Sequence, residues 1–164
     1  MLRPATPADI PLIRSLADRI WWAHYPDLIG PGQVRYMLEL MYSTSALERQ
    51  MQEEAQQFWI IQPEGEPLGY LAVSQRGPGS YFLHKFYLDT SQQRQGIGSR
   101  AFRALLDLYP DIHELRLTVN RRNIRSINFY FKIGFSIESC VDIPIGEGYV
   151  MDDFQMLWKA AAGG

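Results

Sequence analysis

Two closely spaced glycines, Gly96 and Gly98, follow a polar run and open an apolar-periodic segment. Before them runs Tyr81-Phe82-Leu83-His84-Lys85-Phe86-Tyr87-Leu88, aromatic and alternating as a strand would be. A strand, a polar turn and a glycine-led helix start together make a receptor for a phosphate-bearing group. Backbone N–H groups at a helix start have no intrahelical acceptor, and the helix dipole favours negative charge there. Glycine at 96 and 98 lets the backbone approach a ligand with no Cβ in the way. Within the same strand, His84 carries the side chain whose proton is exchanged near neutral pH.

Which phosphate-bearing group this is depends on the surroundings. Gly96-Ile97-Gly98-Ser99-Arg100-Ala101 also matches G-x-G-x-x-A, the dinucleotide fingerprint. That fingerprint puts its first glycine in a tight turn straight after the first strand of a βαβ unit. Here the polar segment Asp89 to Gln95 intervenes, several elements precede it, and the next strand closes on Val119-Asn120 rather than on an acidic residue. The phosphate loop G-x-x-x-x-G-K-[ST] is absent from the chain.

The pattern Gln93-x-x-Gly96-x-Gly98, after an aromatic strand and before a helix, resembles the pyrophosphate-binding motif of the GNAT superfamily of acyl-CoA-dependent N-acetyltransferases. Downstream, Asn123-Ile-Arg-Ser126-Ile-Asn-Phe129-Tyr130-Phe-Lys-Ile-Gly134-Phe135 resembles that family's second signature, with Ser126 where alanine is usual. The two stand in the family's order, and the resemblance runs from about Leu2 to Lys159. The segments Leu83 to Leu88 and Val150 to Met156 look most like the bacterial branch that includes polyamine acetyltransferases.

The resemblance implies an α/β (α+β) fold in one domain, residues 1–164, with a central, mostly antiparallel sheet carrying a parallel splayed pair and flanked by helices. It implies acetyl-CoA as co-substrate. The amides of Arg94, Gln95, Gly96, Ile97, Gly98 and Ser99, with Gln93, would hold its pyrophosphate. The pantetheine arm would lie along the 81–88 strand, using backbone groups at Phe86, Tyr87 and Leu88, with the Phe86 amide at the thioester carbonyl. Asn123 would bond the cofactor, cap the next helix, or do both; separately, Asn120, by its place at the end of the next strand, could hold a bridging water. Tyr130 matches the family's acid, because a phenol of pKa near 10 keeps its proton for a departing thiolate at pH 7. The alternative for Tyr130 is a helix tyrosine packed on the sheet.

The base is less well defined by the resemblance. Some superfamily members carry a glutamate where this chain has Phe82. His84 shares the face of Phe86, about 7 Å away by strand geometry, and arylalkylamine N-acetyltransferases resemble this chain in having a histidine at that distance from the glycines. It would take the amine's proton directly or through water; a packed strand histidine is the alternative. Arg116, Arg121, Arg122 and Arg125 form a basic cluster, by default a solvated face, that could also meet a 3′-phosphate.

The surrounding elements follow from periodicity. Leu2 to Ala5 reads as a strand. Thr6-Pro7-Ala8-Asp9 starts a helix whose inner face is Ile10, Ile13, Ala17, Ile20 and Trp21. Tyr25-Pro26-Asp27 and Gly30-Pro31-Gly32 predict a connecting loop. Val34, Met37, Leu38 and Met41 space a second helix. Ser45-Ala46-Leu47-Glu48 predicts the cap of a third, reaching about Gln56 with Leu47, Met51 and Ala55 on one side. Some of the Trp, Tyr and Met residues between Trp21 and Met51 are expected to line a pocket. Phe58 to Ile61 and Leu68 to Ser74 predict a hairpin, Leu115-Leu117-Val119 a half-buried strand, and Ile127, Tyr130 and Phe131 the inner face of a helix ended by Gly134. Phe135 to Ile143 and Tyr149 to Trp158 complete the strands.

Composition limits the partners. At 164 residues and 46% hydrophobic, the chain can bury a globular core, and a net charge of −2 gives nucleic acid no electrostatic hold. Cys140 has no second cysteine to pair with and reads as a small core residue. It argues for a reducing compartment. The N-terminal residues lack a signal-peptide core and no run is long enough to span a membrane, so a soluble cytoplasmic protein is the expectation. His24, His84, His113 and Cys140 show no metal-ligand spacing, so no metal is expected. The expected partner is a small primary amine, with a polyamine as one candidate. Glu39, Glu48, Glu53, Glu54, Asp142, Glu147, Asp152 and Asp153 could draw a cationic acceptor, although scattered carboxylates usually only solvate a surface. Alternatives are acetylation of protein amines and a silent acyl-CoA sensor. Dimers are common in the superfamily, so a homodimer is open by analogy.

Overall fold

The computed structural model describes residues 1–91 and 96–162. In chain order its strands are β1 (Leu2–Pro4), β2 (Gln57–Ile61), β3 (Gly69–Gly77), β4 (Ser80–Leu88), β5 (Glu114–Asn120), β6 (Ser136–Gly146) and β7 (Tyr149–Lys159). The helices are α1 (Ile10–His24), α2 (Pro26–Ile29), α3 (Pro31–Tyr42), α4 (Thr44–Gln52), α5 (Ile97–Leu108) and α6 (Ile124–Lys132). The strands make one mixed sheet flanked by helices, the fold expected from the resemblance. The chain forms two compact units, Met1–Ser74 with His84–Pro110, and Gln75–Leu83 with Asp111–Gly164.

In the first unit the strands neighbour one another in the order β1-β2-β3-β4. β1 and β2 pair antiparallel with Leu2 opposite Ile61, and β2 and β3 with Gln57 opposite Val73. The entry to α1 is fixed locally. The Thr6 N–H donates to the Asp9 carboxylate at 2.9 Å, and the Arg3 guanidinium meets the same carboxylate at 3.0 Å. Burial raises the Asp9 carboxyl less than these contacts, led by the Arg3 hydrogen bond, lower it, so it sits below the usual range. The inner face of α1, from Ile10 to Trp21, is buried as its spacing predicts.

Two expectations give way here. The predicted loop after Tyr25 contains a helical turn, α2, and α3 begins directly at Pro31. Pro26 and Pro31 occupy first helical positions, where the missing N–H has no intrahelical acceptor to lose. The cap of α4 is Ser43 rather than Ser45: its Oγ accepts from the Ala46 N–H at 3.2 Å. That helix ends at Gln52, short of Gln56, and Ala55 is exposed with φ of 52°.

In the second unit the order is β4-β5-β7-β6. β4 and β5 run parallel with Ser80, Tyr81 and Phe82 opposite Glu114, Leu115 and Arg116. β5–β7 and β6–β7 are antiparallel, with Asn120 opposite Asp153 and Asp142 opposite Asp152. Leu115, Leu117 and Val119 are buried and their alternates are not, the period-2 pattern the sequence predicts. Cys140 is exposed rather than in the core, because it sits on β6, the last strand of the order, whose residues are largely exposed. Phe131 is 46% exposed, so of the three residues expected inward on α6 only Ile127 is fully buried.

Candidate functional site

The predicted site residues fall into both units. His84, Phe86, Tyr87, Leu88, Gly96, Ile97, Gly98 and Ser99 belong to the first, and Asn120, Asn123 and Tyr130 to the second. Gln93, Arg94 and Gln95 lie outside the described residues.

In the first unit, β4 presents two chemically distinct faces. His84 and Phe86 are half-buried, and the alternate position, Lys85, is buried. The His84 Nε2 and the Ser74 Oγ share a hydrogen bond of 2.7 Å. The end of β4 is held close to β3: a Cβ added to Gly69 would collide with the Tyr87 carbonyl. The Asp89 N–H donates to the Leu68 carbonyl at 2.7 Å.

Beyond β4, α1 grips the chain on its way to the glycines. The Arg19 Nε meets the Asp89 carboxylate at 2.7 Å, and the His24 Nε2 and Thr90 Oγ1 are 2.9 Å apart. The same carboxylate accepts from the Ser91 N–H at 3.0 Å. Burial would raise the Asp89 carboxyl, but the Ser91 hydrogen bonds and the Arg19 charge outweigh it and hold it below the usual range.

α5 then starts from Gly96, whose φ of 80° and ψ of 4° place it in the left-handed region. Among the described residues nothing lies within 4 Å of a Cβ built there, and the left-handed backbone conformation by itself calls for glycine. Among the described residues the Arg100 N–H is the first to bond back into the helix, to the Gly96 carbonyl at 3.0 Å. Helix geometry leaves the N–H groups of Ile97, Gly98 and Ser99 directed out of the N-terminus. Ile97, Ala101, Phe102 and Leu105 are buried and anchor this end of the helix.

Lys85, which the sequence reading passed over, is 8% exposed. Its Nζ donates to the Gln50 Oε1 at 2.6 Å and the Gln56 Oε1 at 3.2 Å, and lies 5.1 Å from the Phe58 ring centre. Burial pulls its pKa down to about 7, against the charge of Glu54. The signal was in the alternation, since Lys85 shares the period of the core residues Tyr81 and Leu83. Nearby, Trp21, Tyr25, Tyr42, Tyr70 and Tyr87 stack ring on ring, and the Tyr70 hydroxyl donates to that of Tyr42 at 2.7 Å. A groove of about 630 Å³ has Arg14, Asp18 and Trp22 of α1 and Arg35, Leu38 and Glu39 of α3 in its walls.

In the second unit, β5 hands directly over to α6. The Asn120 Oδ1 accepts from the Arg122 N–H at 2.9 Å, and the Asn123 N–H donates to the Asn120 carbonyl at 3.0 Å. The Asn123 Oδ1 accepts from the Ser126 N–H at 3.3 Å, so Asn123 caps α6 as predicted. Tyr130 is half-buried, its ring 5.6 Å from that of Phe129 and 5.5 Å from that of Phe135. Two of the four clustered arginines are engaged elsewhere: Arg116 with Glu114 and Glu138, and Arg121 with Asp142. Among the described residues no group of three or more His, Cys, Asp or Glu could hold a metal ion.

Fold and site features define a mixed α/β protein whose β4, Gly96 and first turn of α5 suit a phosphate-bearing cofactor. The acetyltransferase (GNAT) family model matches residues 17–135, and the chain belongs to that family. It is 26% identical over 108 residues to an aminoglycoside N(6')-acetyltransferase type 1 of Klebsiella pneumoniae, covering 57% of this chain and 54% of the relative. The chain thus spans about half the length of the curated relatives it matches. The same fold is seen in the PaiA N-acetyltransferase of Thermoplasma acidophilum, a crystal structure in complex with coenzyme A. The TM-score is 0.80 at 20% identity, with 98% of each chain covered. An acetyltransferase from Thermus thermophilus superposes with a TM-score of 0.74 at 20% identity, over 98% of this chain and 96% of that one. No helix among the described residues is long and apolar enough to cross a membrane.

Proposed function

We propose that the chain is an N-acetyltransferase that moves an acetyl group from acetyl-CoA to a primary amine of a small molecule, by direct attack of the amine on the thioester. The observation that carries this reading is the family match over residues 17–135, which embraces both β4 with Gly96 and Asn123 with Tyr130. The residues present fit the cofactor. A left-handed glycine opens α5, its first N–H groups point outward, and α1 fixes the approach through Asp89 and Thr90. The aminoglycoside-modifying relatives support a small amine as the acceptor.

Acetyl-CoA supplies an activated acyl group and a thiolate leaving group. The N–H groups of Gly96, Ile97, Gly98 and Ser99, with Gln93, Arg94 and Gln95, are assigned to the pyrophosphate. Phe86, Tyr87 and Leu88 offer main-chain groups to the pantetheine arm, and the Phe86 N–H is assigned to the carbonyl that must be polarised. Tyr130 gives its phenolic proton to the departing sulfur. His84 takes the amine's proton, its ring oriented by Ser74 at 2.7 Å. Asn120 is assigned a bridging water, and Asn123 serves mainly as the cap that sets the start of α6.

The test is release of free thiol from acetyl-CoA with a panel of acceptors: n-butylamine, spermidine, kanamycin, amino acids and lysine-containing peptides. Turnover confined to the small amines supports the reading. Turnover confined to peptides replaces the acceptor class, and thiol release with none of them removes the transferase assignment.

A further inference from the structure

Among the described residues the buried polar side chains Lys85, Gln50 and Gln56 meet in one cluster. The Gln50 and Gln56 side-chain oxygens converge on the Lys85 Nζ, at 2.6 and 3.2 Å. The other end of Gln50 is engaged as well: its Nε2 donates to the carbonyl of Met41, in the last turn of α3, at 2.9 Å. The Gln56 N–H donates to the Gln50 carbonyl at 2.9 Å, so the chain folds back on α4 through Ala55 in its left-handed conformation. Lys85, Gln50, Gln56 and Met41 all belong to the first unit.

Stability alone does not call for a lysine here. A methionine of similar length would fill the space beside Phe58 and Tyr42, whose ring centres lie 5.1 and 5.8 Å from Nζ, with no ammonium to desolvate. Exchanging buried charged groups for apolar ones of like volume is often neutral or stabilising. What the apolar side chain would lack is direction, because hydrogen bonds hold their partners at a set length and angle. Burial pulls the Lys85 pKa down to about 7 against the charge of Glu54, so ammonium and amine are both present near neutrality. The ammonium has three donors and the amine two, so either form can hold both glutamine oxygens.

The place of Lys85 in β4 gives this tie a consequence. By strand alternation its side chain enters the core while His84 and Phe86 take the opposite face. The peptide unit joining Lys85 to Phe86 is planar and carries the Phe86 N–H, the group assigned to the thioester carbonyl. Holding the Lys85 side chain therefore limits rotation of that peptide. We infer that Lys85 is a positioning residue for acetyl transfer: fastened to Gln50 and Gln56, and through Gln50 to α3, it fixes the direction of the Phe86 N–H. This inference rests on the acetyltransferase reading above and adds a residue to its machinery. A donor aimed at charge that develops in the transition state acts on kcat more than on ground-state binding.

The experiment measures melting temperature, acetyl-CoA Kd and kcat at pH 7 in the wild type, Lys85→Met, Gln50→Met and the double variant. The acceptor is the amine of the panel that the wild type turns over fastest. The expected result for Lys85→Met is a kcat at least tenfold lower, with Kd changed less than twofold and a melting temperature equal to or above that of the wild type. The double variant should be no slower than Lys85→Met, because both substitutions break the same tie. A kcat within twofold of the wild type, or a loss of kcat that only follows a loss of stability, overturns the inference. A second measurement needs no turnover and leaves Lys85 in place. In the ligand-free chain labelled with 15N-phenylalanine, the Phe86 amide resonance should shift or broaden in Gln50→Met. It should stay in place in Gln52→Met, a change at an exposed position of the same helix. A Phe86 resonance unmoved by Gln50→Met overturns the inference even if the chain acetylates amines. A resonance that moves while the wild type acetylates no amine upholds the tie and removes the acetyltransferase reading instead.

Discussion

The ring of Tyr130 meets the ring of Phe135 edge-on, 5.5 Å between centroids and 64° between planes, while the Phe135 N–H donates to the Tyr130 carbonyl at 2.9 Å. With the Gly134 N–H on the Phe131 carbonyl at 3.1 Å, this is a Schellman closure of α6, its apolar contact made by the two rings. Gly134 sits at φ of 109° and would press a Cβ to 3.2 Å from the Trp158 ring. The Gly-Phe that ends the second signature therefore fixes the helix end that carries the proposed acid.

Tyr130→Phe should separate chemistry from structure. The phenyl ring keeps the contact with Phe135, so thermal stability and acetyl-CoA affinity should hold, while kcat falls by roughly 10²-fold or more. Unchanged kcat in steady-state thiol release would take Tyr130 out of the acid role.

Gly134→Ala should act through the fold. A β-carbon at that φ costs about 1–2 kcal/mol, before any shift of Trp158 is counted. Denaturant unfolding should show that loss, and kcat should fall with it as Tyr130 is displaced. A variant as stable as the wild type would mean that the closure does not constrain this helix.

Arg19→Ala tests the grip of α1 on the approach to the glycines. The Arg19 side chain is 55% exposed, so its ion pair with Asp89 should contribute less than about 1 kcal/mol to stability. The acetyl-CoA Kd should nevertheless rise several-fold, and further when His24→Ala removes the contact with Thr90. Equal affinities by calorimetry would show that the loop needs no such support.

Lys85 should imprint a pH dependence on stability. Its pKa is about 7 when folded against 10.5 as the ordinary value, so between those limits the unfolded chain binds the extra proton. Stability should therefore rise with pH through that window and be flat with respect to this group below it. From pH 7 to 9 the contribution is roughly 2–3 kcal/mol. Lys85→Met should abolish that part of the slope, read as the difference between the two unfolding curves. Parallel curves would mean that Lys85 is solvated in the native state.

The parts legible in the sequence were those set by local rules. The alternation of β5, the Asn123 cap and the glycine start of α5 each depend on a few neighbouring residues, and each is found where it was expected. Pro26 and Pro31 misled because proline both breaks a helix and begins one, and only what precedes it decides. Cys140 and Phe131 misled for a non-local reason, since strand order and helix orientation set their exposure and periodicity gives neither. Asp153 looked like one more surface carboxylate; its burial depends on β7 lying between β5 and β6.

The central claim is that coenzyme A sits with its pyrophosphate at the start of α5, and Gly96 tests it most directly. Among the described residues nothing lies within 4 Å of a Cβ at that position, so Gly96→Glu meets no clash with them while it strains the backbone and puts a negative charge at the phosphate site. Calorimetric titration of acetyl-CoA should give saturable binding to the wild type and none to Gly96→Glu, with the variant still folded by circular dichroism. Equal affinity in the two proteins would contradict the account.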